Sequence, residues 1–242
     1  MKASDALRSI LPQSAREHLY ALHPGRGRRW RRYPGLAHVE PTGRAVLTFD
    51  DGPDEDATLA VLDRLDEAQA QATFFVLGNR VKAAPDLACE IVRRGHELGL
   101  HGYDHERQDR ISPQRAGDDV RIGFAAVEEQ TGVRCRWYRP PYGKMSPGSW
   151  RACSELNMTV VYWCGWGLDW EEGSAGRIAD LVCEGLRDGA IILLHDSARY
   201  ARRPTAMTTA DAIPAIAEHA RAAGLKLTGV GDAVCAADAV SV

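Results

Sequence analysis

Two histidines four residues apart, His101 and His105 in "LGLHGYDHE", and two adjacent carboxylates, Asp50 and Asp51 in "TFDDGP", are the residues best placed to act together. Two imidazoles and one carboxylate make a three-ligand site for a divalent metal, with a coordination position left for water or substrate. A spacing of four lets a helical turn or a compact loop aim both rings at one point. Either Asp50 or Asp51 can supply the carboxylate, and the other then has a separate task beside the ion. Neighbouring like charges are otherwise unfavourable, and a cation makes them tolerable. The plainer alternatives are a tight turn, because Asp, Gly and Pro all favour turns, and two solvated loop histidines. Three more polar groups stand at the ends of apolar runs: Arg139 in "YRPPYGK", Asp169 in "WGLDW" and His195 in "ILLHD".

The segments between these groups alternate in period. Strand-like runs cover 44–49, 71–77, 97–101, 136–139, 159–163, 190–195 and 225–230. Helical patterns cover 55–69, 84–95, 112–132, 146–156, 176–189 and 208–224, several of them closing on glycine. Strand–helix repetition implies a parallel sheet, and seven units favour a barrel over an open sheet. Asp50 and Asp51, His101 and His105, Arg139, Asp169 and His195 all fall at or just beyond C-terminal strand ends, where parallel barrels assemble their active sites.

With 242 residues and 45% hydrophobic content, the chain can bury one good core. A formal net charge of −3 favours neither nucleic acid nor a strongly acidic partner. The first twenty residues interrupt their apolar positions with Asp5, Arg8 and Ser9, unlike a signal peptide. Six cysteines, with no C-x-x-C pair, read as scattered buried thiols in a reducing compartment, so the cytoplasm is the expected location.

Residues 44–232 resemble the polysaccharide deacetylase (NodB-homology) family, matching in order "TFDDGP", the H-x-x-x-H pair, "RPPYG", "LDW" and "ILLHD". The resemblance implies an incomplete, distorted (β/α)7 barrel over 44–242, preceded by an N-terminal arm, 1–43. It implies metal-dependent hydrolysis of an N-acyl group, usually N-acetyl, from an amino sugar. It makes Asp51, His101 and His105 the ligands of one divalent ion, zinc first, with cobalt, nickel or manganese open to the same donors. Asp50 becomes the general base, braced by Arg139, and His195 the general acid, oriented by Asp169. The backbone N–H of Tyr142 would hold the oxyanion, Leu193 would line the acyl pocket and Trp170 would face the sugar.

Two positions depart from the family pattern. Gly102 stands where a Ser or Thr usually follows the first histidine, so bracing of that loop must come from elsewhere, with Tyr103 and Asp104 as candidates. Trp166 replaces a common Asp three residues before the DW pair. Both suggest a substrate unlike an external polymer: a small N-acyl amino sugar, nucleotide- or lipid-linked. The stretch "HPGRGRRWRRYPG" places five arginines around Trp30, suited to weak contact with an anionic membrane surface or a phosphate. The alternatives are a deformylase of a formamido sugar, an amidase of a non-sugar amide, and a silent carbohydrate-binding module. An intact set of Asp50, Asp51, His101, His105, Arg139 and His195 speaks against silence.

Overall fold

Strand β1 (Arg44–Asp50) is the centre of the sheet, and its residues from Ala45 to Asp50 are all buried. A computed structural model describes residues 32–240; most of the arginine-rich stretch, and with it the proposed membrane contact, lies outside the described residues. Around β1 stand β2 (Thr73–Val76), β3 (Glu97–Leu100), β4 (Trp137–Tyr138), β5 (Thr159–Val160), β6 (Gly165–Trp166), β7 (Ile191–His195) and β8 (Lys226–Thr228). Their order is β5-β4-β3-β2-β1-β7-β6, and every pairing is parallel. Val46 pairs with both Ile191 of β7 and Thr228 of β8, so β8 shares an edge of β1 with β2, each covering one half. No ladder joins β5 to β6 among the described residues, and the curled sheet is an incomplete (β/α)7 barrel.

Helices cover this sheet: α1 (Thr58–Glu67), α2 (Gly78–Ala83), α3 (Pro85–Arg93), α4 (Pro113–Thr131), α5 (Pro147–Glu155), α6 (Ala175–Gly185), α7 (Met207–Ala222) and α8 (Val230–Val240). Six follow the periodic apolar patterns, α7 among them despite Pro214 in its interior. Three elements carry no such pattern. Helix α2 has six residues, α8 is a near-continuous run of small and apolar side chains, and β6 has two residues, Gly and Trp.

The compact unit begins at Gly35, ahead of β1. Leu36 bridges to Val161 and His38 to Ala190, which fastens this segment to the ends of two strands. The cysteines are all free, but only Cys135 and Cys153 are buried, while Cys89 and Cys235 are exposed. Cys89 and Cys235 depart from the expectation of scattered buried thiols, because they lie on outward faces of α3 and α8. No helix among the described residues is long and apolar enough to cross a membrane.

Candidate active site

Strand register sets the first contact. Asp50 ends β1 directly opposite His195 at the end of β7, and opposite Phe75 on β2. Asp50 Oδ1 accepts a hydrogen bond from Arg139 Nη1 at 2.8 Å. Arg139 is fully buried, and every arm of its guanidinium is used. Nη1 also donates to Thr48 Oγ1 at 2.7 Å, Nε to the Val161 carbonyl at 3.3 Å and Nη2 to the Tyr162 carbonyl at 2.9 Å. The plane lies over the Phe75 ring, 4.1 Å from its centroid. Burial lowers the Arg139 pKa, and the charge of Asp50 opposes that shift. A buried cation so completely bonded has one carboxylate partner and one fixed position.

Asp51 points elsewhere. Its φ of +80°, an uncommon value for a non-glycine residue, turns its carboxylate away from that of Asp50. Gly52 follows, and a Cβ there would lie 2.1 Å from Asp196 Oδ2, so only glycine lets the turn pass under that carboxyl group. Asp51 Oδ1 lies 3.2 Å from His105 Nε2 and 3.4 Å from His101 Nε2. One ligand atom from each of the three lies within 4.8 Å of the others.

The tautomer of His101 is set by its surroundings. Its Nδ1 is 2.7 Å from the Arg139 carbonyl, which can only accept, so Nδ1 carries the proton and Nε2 presents a lone pair. That nitrogen faces Asp51 Oδ1, and Asp50 Oδ2 at 3.8 Å. Asp51 Oδ1 is buried and has no hydrogen-bond donor. Burial pushes His105 down to about 4, leaving it neutral and able to act as a ligand near neutrality. For Asp51, burial raises the pKa, but His105, His101 and His195 outweigh it and hold the group below the usual carboxylate range. A divalent cation fits this donor set and relieves the facing lone pairs.

The opposite wing belongs to His195. Its backbone N–H donates to Asp169 Oδ2 at 2.8 Å, and its Nδ1 lies 2.9 Å from Asp169 Oδ1. Burial lowers the His195 pKa, yet the charge and hydrogen bond of Asp169, with Asp51 and Asp50 behind, raise it to about 9. Trp170 meets His195 edge-on, ring centroids 5.6 Å apart. Leu193, two residues before His195 on the same face of β7, is buried. Tyr142 sits in a single turn, Pro141–Gly143, at φ +57°, and its half-exposed ring is 4.5 Å from that of His105.

Several contributors carry no motif. Arg203, buried, donates to the His195 carbonyl at 3.1 Å and to Asp169 Oδ2 at 3.4 Å. Thr209 on α7 donates to the same Asp169 oxygen at 2.8 Å. Tyr200 stacks on His105 with centroids 4.1 Å apart. Arg203 and Tyr200 lie in "HDSARYARRPT", a stretch rich in arginine with no apolar period to mark it. The available signal was an Arg immediately before Pro, shared by Arg139-Pro140 and Arg203-Pro204.

The polysaccharide deacetylase family model matches residues 37–161. The chitooligosaccharide deacetylase of Bradyrhizobium sp. (strain ANU 289) is 34% identical over 159 residues, 65% of this chain and 73% of that protein. This chain belongs to the polysaccharide deacetylase family. The peptidoglycan-N-acetylglucosamine deacetylase PgdA of Listeria monocytogenes is 35% identical over 163 residues, 67% of this chain but 34% of PgdA. The chain thus spans about a third of the length of that relative. Among solved structures, that of the peptidoglycan deacetylase PdaC from Bacillus subtilis superposes with a TM-score of 0.71 at 30% identity, covering 82% of this chain and 93% of the solved chain. The family's incomplete barrel is the fold described above.

Proposed function

We propose that this protein hydrolyses the N-acetyl group of an amino sugar, using a divalent ion held by Asp51, His101 and His105. The observation that carries the reading is the His101 Nε2 lone pair facing Asp51, flanked on paired strands by Asp50 and His195. Such an ion supplies Lewis acidity toward the acyl oxygen and toward water.

The rest falls to the chain. Asp50, held in place by its hydrogen bond from Arg139, accepts a proton from the attacking water as the new oxygen–carbon bond forms. The backbone N–H of Tyr142 serves the oxygen that gains charge. Asp169 holds the Nδ1 proton of His195, so Nε2 carries the proton that passes to the departing nitrogen as the carbon–nitrogen bond breaks. Acetate and a free amine are the products. His195, raised to about 9, holds its proton at neutral pH, as an acid must. Leu193 bounds the acyl side, and Trp170 and Tyr142 offer rings to the sugar.

Zinc is the proposed ion, because two imidazoles and a carboxylate are donors it commonly takes; cobalt, nickel and manganese accept the same set. The relatives, a peptidoglycan-N-acetylglucosamine deacetylase and a chitooligosaccharide deacetylase, point to peptidoglycan and chitin oligomers as substrates to try first. A narrower reading is a nucleotide- or lipid-linked sugar handled in the cytoplasm; it draws on six free thiols and the arginine-rich arm. Acetate release should be measured from chitin oligomers, peptidoglycan fragments and a nucleotide-linked N-acetyl sugar, before and after chelation and zinc return. Activity that survives complete metal removal would overturn the proposal. Release of formate from a formamido sugar, with none of acetate, would change the acyl assignment. Faster turnover of chitin oligomers than of the nucleotide sugar would remove the narrower reading.

A further inference from the structure

His105 lies in a stretch between β3 and α4 that has no regular secondary structure. Unlike His101, whose Nδ1 is fixed on a carbonyl, His105 Nδ1 has no hydrogen-bond partner. Tyr142 and Tyr200 pack against its ring, and with no hydrogen bond at Nδ1 the rest of its placement falls to the backbone that carries it. Helix α2 holds one side of that backbone: Gly78 N–H donates to the Gly102 carbonyl at 2.9 Å and Asn79 N–H to the Tyr103 carbonyl at 3.2 Å.

The other side is tied to α4 twice, by Arg115, which donates to the exposed side chain of Glu106 at 2.7 Å, and by a buried carboxylate. Asp119, on the second turn of α4, is buried, an unfavourable place for a charge without a task. Its Oδ1 accepts the Asp104 N–H at 2.9 Å, and its Oδ2 accepts Gln108 Nε2 at 3.2 Å. Gly102 has φ +98°, and a Cβ there would stand 2.6 Å from Asp119 Oδ2. The carboxylate fills the space a side chain at 102 would take. It thus touches the loop at 102, 104 and 108, on both sides of His105.

We propose that Asp119 is the positioning residue that fixes the His105 loop for metal binding, from the space that the missing side chain at Gly102 leaves. The proposal rests on reading His105 as a ligand. Of the earlier candidates for this brace, Asp104 takes part twice: its N–H donates to Asp119, and its Oδ1 accepts from Asn79 Nδ2 on α2 at 2.9 Å.

The test is metal affinity, measured by chelator competition with zinc and by the visible spectrum of the cobalt-substituted protein. Asp119→Ala should weaken binding about 10- to 100-fold, the usual effect of removing a group that orients a ligand, and should change the cobalt spectrum. Asp119→Asn can still accept the Asp104 N–H, while the Gln108 amide turns its oxygen to meet the new NH₂; it should bind metal nearly as well as the wild type. Adding Gly102→Ala to Asp119→Ala should weaken binding less than Gly102→Ala does alone, because the crowded carboxylate is gone. Unchanged affinity and spectrum in Asp119→Ala, beside lost metal in His105→Ala, would overturn the positioning role alone. Unchanged affinity in His105→Ala would overturn the ligand reading with it. If Asp119→Ala does not fold, a folded Asp119→Asn that binds metal tenfold or more weakly overturns the geometric role in favour of a charge effect.

Discussion

The two ends of the β-strands use the same residue types in opposite ways. At the N-terminal end, Glu97 accepts from Thr73 Oγ1 at 2.7 Å, the Gly231 N–H at 3.0 Å and Trp137 Nε1 at 2.5 Å, tying β2, β3, β4 and α8 together. Asp188 there accepts the N–H groups of Thr42, Gly43 and Arg44. At the C-terminal end, Asp50 and Asp51 are neighbours, and Asp51 Oδ1 is buried without a donor. Carboxylates surrounded by donors hold a structure together. Carboxylates left facing lone pairs wait for a cation, and they weigh on stability until it binds.

The largest expected break in this comparison comes from Asp50→Asn. It should lower kcat/KM by roughly a hundred- to ten-thousand-fold, the range for a general base, while metal stays bound. The metal-free variant should melt lower than the parent, because buried Arg139 loses its one carboxylate partner. Elemental analysis and calorimetry decide. Loss of metal from Asp50→Asn with retention in Asp51→Asn would exchange the two roles.

A change that spares one substrate class comes next. His195→Ala should stall amide hydrolysis, because an unprotonated amine leaves poorly, yet spare much of the turnover of an activated ester. In the parent enzyme, kcat/KM for amides should fall as pH rises toward about 9, where the acid form is lost. A bound cation repels the imidazolium proton, so the observed limb should lie below that value. The stability sign is the same: a folded pKa above the ordinary histidine value of 6.5 stabilises the fold below 6.5, and this is lost as pH rises through about 9. Equal losses on amide and ester would remove His195 from the acid role.

At the other end of the strands the readouts reverse. Glu97→Ala leaves Trp137 Nε1, the Thr73 hydroxyl and the Gly231 N–H without their acceptor, which should cost about 2–3 kcal/mol of folding stability. For a domain of this size that is a fall of roughly 5–10 °C in Tm. The kcat at a temperature where the variant is folded should stay near that of the parent. A tenfold loss of kcat in a fully folded Glu97→Ala would dissolve the distinction between the two ends.

Much of the catalytic end was legible in the sequence for a geometric reason. Asp50, His101, Arg139 and His195 each terminate or follow an apolar run, so calling the runs as parallel strands sends all four to one face. Which of Asp50 and Asp51 faces the imidazoles was less accessible, since it turns on one backbone angle at Asp51. Arg203 and Thr209 were out of reach, because their contacts to Asp169 span 34 and 40 residues and join a loop and a helix to a strand end. Strand β6 was hidden by its length, and Glu97 by its place in "ELGLH", where it reads as the polar start of a strand. Long-range partners of a single polar side chain leave no period to read.

The smallest effect is also the cleanest check on the structural end. Asp188 lies near the surface; burial, the largest single influence, raises its pKa, but the N–H groups of Gly43, Thr42 and Arg44 together outweigh it and hold the carboxyl below the usual carboxylate range. A depressed folded pKa stabilises the fold above the unfolded value and loses that contribution as pH falls through the folded one. Asp188→Asn should therefore cost no more than about 1 kcal/mol at neutral pH, given its exposure to solvent and salt. The deficit should shrink as acid is added, because the parent then loses its own carboxylate. Denaturant titrations of both proteins between pH 7 and pH 3 should show the two stability curves converging. Parallel curves would mean that the Asp188 charge adds nothing to its hydrogen bonds, and that the amide of Asn serves the three N–H groups equally well.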